Sequence, residues 1–171
     1  MLDDGLMTSP LTPDDLVEIT LIQQLKYRYV RCIDTKAWAE LAELFTDDAT
    51  ASYGGGATTL AGRPEIMEFL TTSMASETML TSHKVHQPEI TLTGPESATG
   101  VWALDDVVIM DDLGLVVRGA SFYDDRYAKV DGDWRIAHTG YRRVFEEIEP
   151  RSPDVKLTAS WWATDGRSSL Q

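Results

Sequence analysis

Between Glu89 and Ile148 apolar and polar residues alternate along three long segments. Glu89–Thr93 runs on through Ser97–Met110, and Leu115–Val130 and Asp133–Ile148 follow. A two-residue period marks strands with one face buried and the other in water. The joins TGPE, MDDLG and VDGD carry the glycine, proline and aspartate chemistry of tight turns. An antiparallel meander is therefore predicted for the second half of the chain. Such a sheet needs apolar cover on one face, and the first half of the chain supplies it.

TPDDLVEIT opens a helix: Thr12 caps it, Pro13 fits its first turn, and Asp14 and Asp15 suit the positive end of its dipole. Leu16, Ile19, Ile22, Leu25, Tyr29, Cys32 and Ile33 then form a helical stripe. KAWAELAELF predicts a second helix with Trp38, Leu41, Leu44 and Phe45 on one side. ATASYGGG reads as a short strand ending in a turn, and GRPEIMEFLTTSM as a third helix with Pro64 in its first turn. Helices first and a meander last make the class α+β. Residues 1–11 read as a flexible arm, 12–149 as one domain, and 150–171 as a tail. Trp161 and Trp162 are expected to dock that tail on the body or on a neighbouring subunit.

The chain has 171 residues, enough for one real core, and a net charge of −13. That field repels a phosphate backbone, and no basic run or basic amphipathic helix offers itself to a membrane; neither nucleic acid nor membrane is an expected partner. No apolar run approaches the ~20 residues of a membrane span. The acidic start MLDDGLMTSP is unlike a secretory signal. A single cysteine, Cys32, excludes an internal disulfide, and the cytoplasm is the expected compartment. Neither zinc-ligand spacing, nor GxGxxG, nor a phosphate-binding loop is present, so no metal or cofactor is expected. The expected ligand is a small hydrophobic organic molecule.

Chemistry has few candidate carriers. His83 and His86 are three residues apart in LTSHKVHQPEITL, so on a strand they point to opposite faces. Simple parity groups His86 with Pro88, Ile90 and Leu92 on the buried face; a bulge at Gln87–Pro88 would turn His83 inward instead. Asp34 falls where the first helix ends, against the negative end of the dipole. Pairing with an imidazolium would offset that cost, and capping of the next helix is the plainer reading. Tyr29 lies on the apolar stripe, where a buried phenol seeks a partner. Trp102, Leu104 and Tyr123 alternate on strands and are candidate cavity lining. His138 and Arg142 share the parity of Trp134, with Arg143 opposite.

Four segments carry a resemblance: YRYVRCIDTKAWAELAELFTDDATASYGG, GRPEIMEFL, SHKVHQPEITLTGPESATG and YAKVDGDWRIAHTGYRR. Over residues 12–147 the chain resembles the SnoaL-like, scytalone dehydratase-like branch of the nuclear transport factor 2-like superfamily. That resemblance implies a cone-shaped α+β barrel, with three N-terminal helices packed on a curved antiparallel sheet. It also implies catalysis by an aspartate at the end of the first helix paired with a histidine on the strand after the third. Asp34 and His83 match those two positions. Tyr29 is similar to a tyrosine of the bile-acid dehydratase, and Tyr53 to a pocket tyrosine of scytalone dehydratase. Trp102 stands where the latter has a second histidine, a departure that argues against the same substrate and route. The implied activity is a cofactor-independent dehydratase or isomerase acting on a polycyclic, polyketide or steroid-like molecule. Substrate contacts would come from Tyr53, Trp102, Leu104, Tyr123, His86, His138 and Arg142. The alternative is a non-catalytic module like the β subunit of ring-hydroxylating dioxygenases. Relatives imply a homo-oligomer, trimer or dimer.

Overall fold

A computed structural model describes residues 10–170. Helix α1 (Pro13–Asp34) is followed by α2 (Trp38–Ala42), β1 (Phe45–Tyr53), β2 (Thr58–Ala61), α3 (Arg63–Met74), β3 (Met79–Gly94), β4 (Ser97–Met110), β5 (Leu115–Val130) and β6 (Asp133–Pro150). Three helices cover one face of a curved, unclosed six-stranded sheet of order β2-β1-β6-β5-β4-β3. The sheet is mixed, because β1 runs parallel to β6 while every other pair is antiparallel. The arm expected over residues 1–11 lies almost wholly outside the described residues.

Thr12 caps α1 through a reciprocal box: its hydroxyl accepts from the Asp15 amide at 3.2 Å, and the Asp15 carboxylate accepts from the Thr12 amide at 2.8 Å. The apolar stripe is buried only from Ile22 onward. Leu16, on the first turns of α1, is 52% exposed. Helix α2 is shorter than its sequence pattern. It stops at Ala42 because the Leu44 carbonyl accepts from the Ile136 amide and Phe45 opens β1 against β6. Leu41, Leu44 and Phe45 are buried nonetheless. Helical and strand periods coincide over so short a run.

Two irregularities decide which side chains face inward. In β3 the register shifts between His86 and Glu89, where Gln87 adopts a φ of 43°. This bulge puts His83 and Val85 on the same inner face as Ile90 and Leu92. In β6 the register slips by one residue between Ile136 and His138. Trp134 and Ile136 therefore face the core together with Thr139, Tyr141 and Arg143, while His138 and Arg142 face outward. Past β6 the tail folds back, and Trp161 and Trp162 border the outer side of Asp34 and Thr81.

The burial pattern makes a contrast within one helix. Ile22→Ala, at a fully buried site, is expected to cost about 2–5 kcal/mol in urea unfolding. Leu16→Ala, on the exposed first turns, is expected to stay within about 0.5 kcal/mol of the parent.

Candidate active site

The C-terminal end of α1 meets β3 at Asp34. Its Oδ1 is 2.6 Å from His83 Nδ1 and also accepts from the Thr81 hydroxyl at 2.8 Å; its Oδ2 accepts from the His83 amide at 2.9 Å. Three donors thus compensate a carboxylate that sits against the negative end of a helix dipole. Lys36, at φ 51°, turns the chain sharply after α1 and carries it away from the pair. A carboxylate can only accept, so the neutral imidazole donates from Nδ1 and keeps Nε2 as its basic nitrogen. The His83 ring is almost buried and lines a cavity of about 230 Å³ between helices and sheet.

The remaining walls are largely apolar and aromatic. Tyr53 stacks on Phe69 from α3 at 5.5 Å between ring centres, and Tyr29 and Tyr123 meet edge to face at 6.2 Å. Burial pushes the Tyr29, Tyr53 and Tyr123 phenols well above their ordinary range, so all three remain hydroxyl donors at neutral pH. The buried Tyr53 hydroxyl has no hydrogen-bond partner among the described residues. Across the cavity stands Arg143, forked onto the Asp106 carboxylate, with Nη2–Oδ2 at 3.0 Å, and bonded to Ser121 Oγ at 3.1 Å. Gly119 makes room for it: a Cβ there would lie 2.6 Å from Arg143 Nη1.

The structure brings Asp34, His83, Tyr29, Tyr53, Leu104 and Tyr123 together at or behind this cavity. It does not bring the other four candidates there. Trp102 is fully buried beneath the cavity and donates from Nε1 to the Tyr127 hydroxyl at 2.9 Å. His86 lies beyond His83 on the outer face, half exposed and 3.7 Å from Asp105, because the bulge comes after it. His138 faces outward and its Nδ1 is 2.7 Å from Thr50 Oγ1. Arg142 joins it on that outer face, and the β6 bulge hands the inward place to Arg143. Asp106 was open to the sequence, being in step with Trp102 and Leu104. Arg143 was not, since nothing in RIAHTG marks a bulge. Among the described residues no cluster of three or more metal-ligating side chains occurs, and no helix is long and apolar enough to cross a membrane.

Burial, helped by the nearby Arg126 charge, lowers the His138 pKa below its ordinary 6.5. The folded state therefore takes up this proton later than the unfolded chain, and stability is lost as pH falls below the unfolded value. In an NMR titration the His138 ring protons are expected to move at a pH below 6.5. Replacing His138 with Gln should flatten the acid limb of stability in that same window.

Comparisons with known proteins agree with this architecture. The SnoaL-like domain profile matches residues 14–140. Uncharacterized proteins of Mycobacterium tuberculosis and Mycobacterium bovis are 25% identical over 130 residues, covering 74% of this chain and 86% of their own length. A structure from Novosphingobium aromaticivorans, provisionally assigned as a scytalone dehydratase, superposes with a TM-score of 0.74 at 21% identity, over 86% of this chain and 99% of its own. The hexachlorocyclohexane dehydrochlorinase LinA-type3 of Novosphingobium barchaimii superposes at 0.72 and 17% identity, over 84% and 97%. With three-quarters of its length matched by the profile and the helix-on-sheet cone in place, the chain belongs to the SnoaL-like domain family.

Proposed function

We propose that this protein is a cofactor-independent lyase, a dehydratase or a related isomerase, acting on a small hydrophobic ring compound by Asp–His proton transfer. The observation that carries this reading is the 2.6 Å contact between Asp34 Oδ1 and His83 Nδ1 at the wall of an aromatic cavity. Nε2 of His83 removes a proton from the carbon next to a carbonyl. The C–H electron pair becomes the new double bond as a hydroxide departs from the adjacent carbon and takes up a proton from a phenol or from the imidazolium. Asp34 stabilises the imidazolium formed on the way, the role of the aspartate in an Asp–His pair. The Tyr29 and Tyr53 hydroxyls are suited to bond the carbonyl oxygen as its charge grows. The likeness to a dehydrochlorinase and to a provisional dehydratase supports elimination chemistry.

A volume of about 230 Å³ falls below the usual range of about 300–1,000 Å³ for small-molecule sites. One or two rings fit within it, and a larger polyketide or steroid-like molecule would keep part of its skeleton outside. The reading includes a cytoplasmic homo-oligomer, trimer or dimer. Val101, Phe122 and Phe145, each more than a third exposed on β4, β5 and β6, supply apolar surface for contact between copies.

The test is turnover of hydroxy-ketones and hydroxysteroids. His83→Ala is expected to lower turnover by about 10²–10⁴-fold with little change in melting temperature, and His86→Ala to leave it unchanged. Loss of turnover with His86→Ala alone, or no turnover by the parent on any such substrate, would remove the basis for a His83 base.

A further inference from the structure

Beneath the cavity floor lies a pair of charges that the elimination scheme leaves unused. Lys26, on the buried face of α1, and Asp125, on β5, are both fully buried, with Nζ 2.7 Å from Oδ2. The contact is close but poorly aligned for a hydrogen bond, and among the described residues Lys26 Nζ has no well-directed acceptor. Its other neighbours are ring faces. Nζ lies 3.4 Å from the Tyr123 ring centre and 4.5 Å from that of Tyr29. Asp125 Oδ2 also accepts from the Tyr127 hydroxyl at 2.7 Å, and that hydroxyl accepts from Trp102 Nε1. A chain of polar contacts thus runs from Trp102 to an ammonium seated under two of the phenols that line the cavity.

Stability alone is a weak reason for such a pair. Two buried ions recover little more than their desolvation cost, and apolar replacements of similar volume are often neutral or stabilising. The rings supply a second reason. A desolvated cation on an aromatic face draws electron density from the ring and is held there, which makes an attached hydroxyl a stronger donor.

We infer that Lys26, paired with Asp125, is a positioning residue that holds the Tyr29 and Tyr123 rings and strengthens their hydroxyls as donors to a ligand oxygen in the cavity. The inference rests on this cavity being the reactive site. Trp102 and Tyr127 take part by orienting the Asp125 carboxylate, which gives the buried indole a purpose away from the substrate.

The probe is 2-naphthol, whose absorption distinguishes the bound neutral form from the bound anion. Lys26→Met alone strands the Asp125 charge and is expected to lower the melting temperature sharply. Lys26→Met with Asp125→Asn removes both charges and keeps an acceptor for Tyr127, so most of the stability should return. In that double variant the ratio of bound naphtholate to bound naphthol is expected to fall about tenfold, the order of a desolvated cation–π contact, at unchanged near-ultraviolet circular dichroism. Tyr123→Phe keeps the ring and should give a similar loss. Combined with the double variant it should add little, as for groups acting through one another. A ratio unchanged in the double variant, with only the melting temperature moved, would make the pair merely structural and overturn the inference. So would a parent protein that binds 2-naphthol in neither form. No turnover enters this readout, so failure of the lyase reading would be seen separately, in the hydroxy-ketone assay.

Discussion

A carboxylate at the end of one helix and an imidazole on one strand hold each other at 2.6 Å, and much of the cavity's geometry follows from that contact. Asp34 can reach β3 only because α1 runs unbroken from its Thr12 cap to the turn at Lys36. His83 can receive it only because β3 gains a residue at Gln87–Pro88. Without that residue the strand's period of two would send His83 to the outer face whenever Ile90 and Leu92 faced the core. The backbone takes part as well. The His83 amide and the Thr81 hydroxyl both donate to the same carboxylate, which fixes its plane before any ligand arrives. A group fixed in this way loses little entropy on reaction, which is what a proton-transfer site requires.

The architecture was legible where local signals agree with one another. The capping box, the helical stripe and the turn residues between alternating segments each specify an element, and together they leave few ways to cover one face of a meander. The β3 bulge could be anticipated because proline marks it. The β6 bulge could not, since it falls at Ala137, between Ile136 and His138, where no glycine, proline or charge signals an extra residue. Every side chain from there to Arg143 reversed face, which exchanged Arg142 for Arg143 and turned His138 outward, until a second register shift at Val144 restored the parity. A pattern argument with period two has no protection against one silent insertion.

Lys26 was hidden for a different reason. It stands four residues after Ile22 and three before Tyr29, in step with the buried stripe, yet lysines at such positions usually run their stems along apolar surface and keep the charge in water. Burial became evident only with Asp125 beside it, and Asp125 lies on a strand far along the chain. The short α2 is a case of tertiary context overruling a local pattern. KAWAELAELF reads as helix throughout, but the helix ends at Ala42 and pairing with β6 claims its last residue, Phe45, as strand.

Charge is distributed in a way that bears on what the cavity can receive. The whole chain carries −13, a field that repels anions at a distance. Around the cavity the acidic groups each have a partner instead: Asp106 faces Arg143, Asp125 faces Lys26, and Asp34 faces His83. An acidic surface around a balanced and mostly aromatic interior suits a neutral ligand, drawn in by burial of its apolar area. In the elimination proposed above, a new separation of charge appears inside when a proton leaves the ligand for His83. At that moment the nearby groups are a carboxylate on the imidazole side and phenol donors on the side of the oxygen, an arrangement that stabilises the separated charges more than the neutral ligand that precedes them.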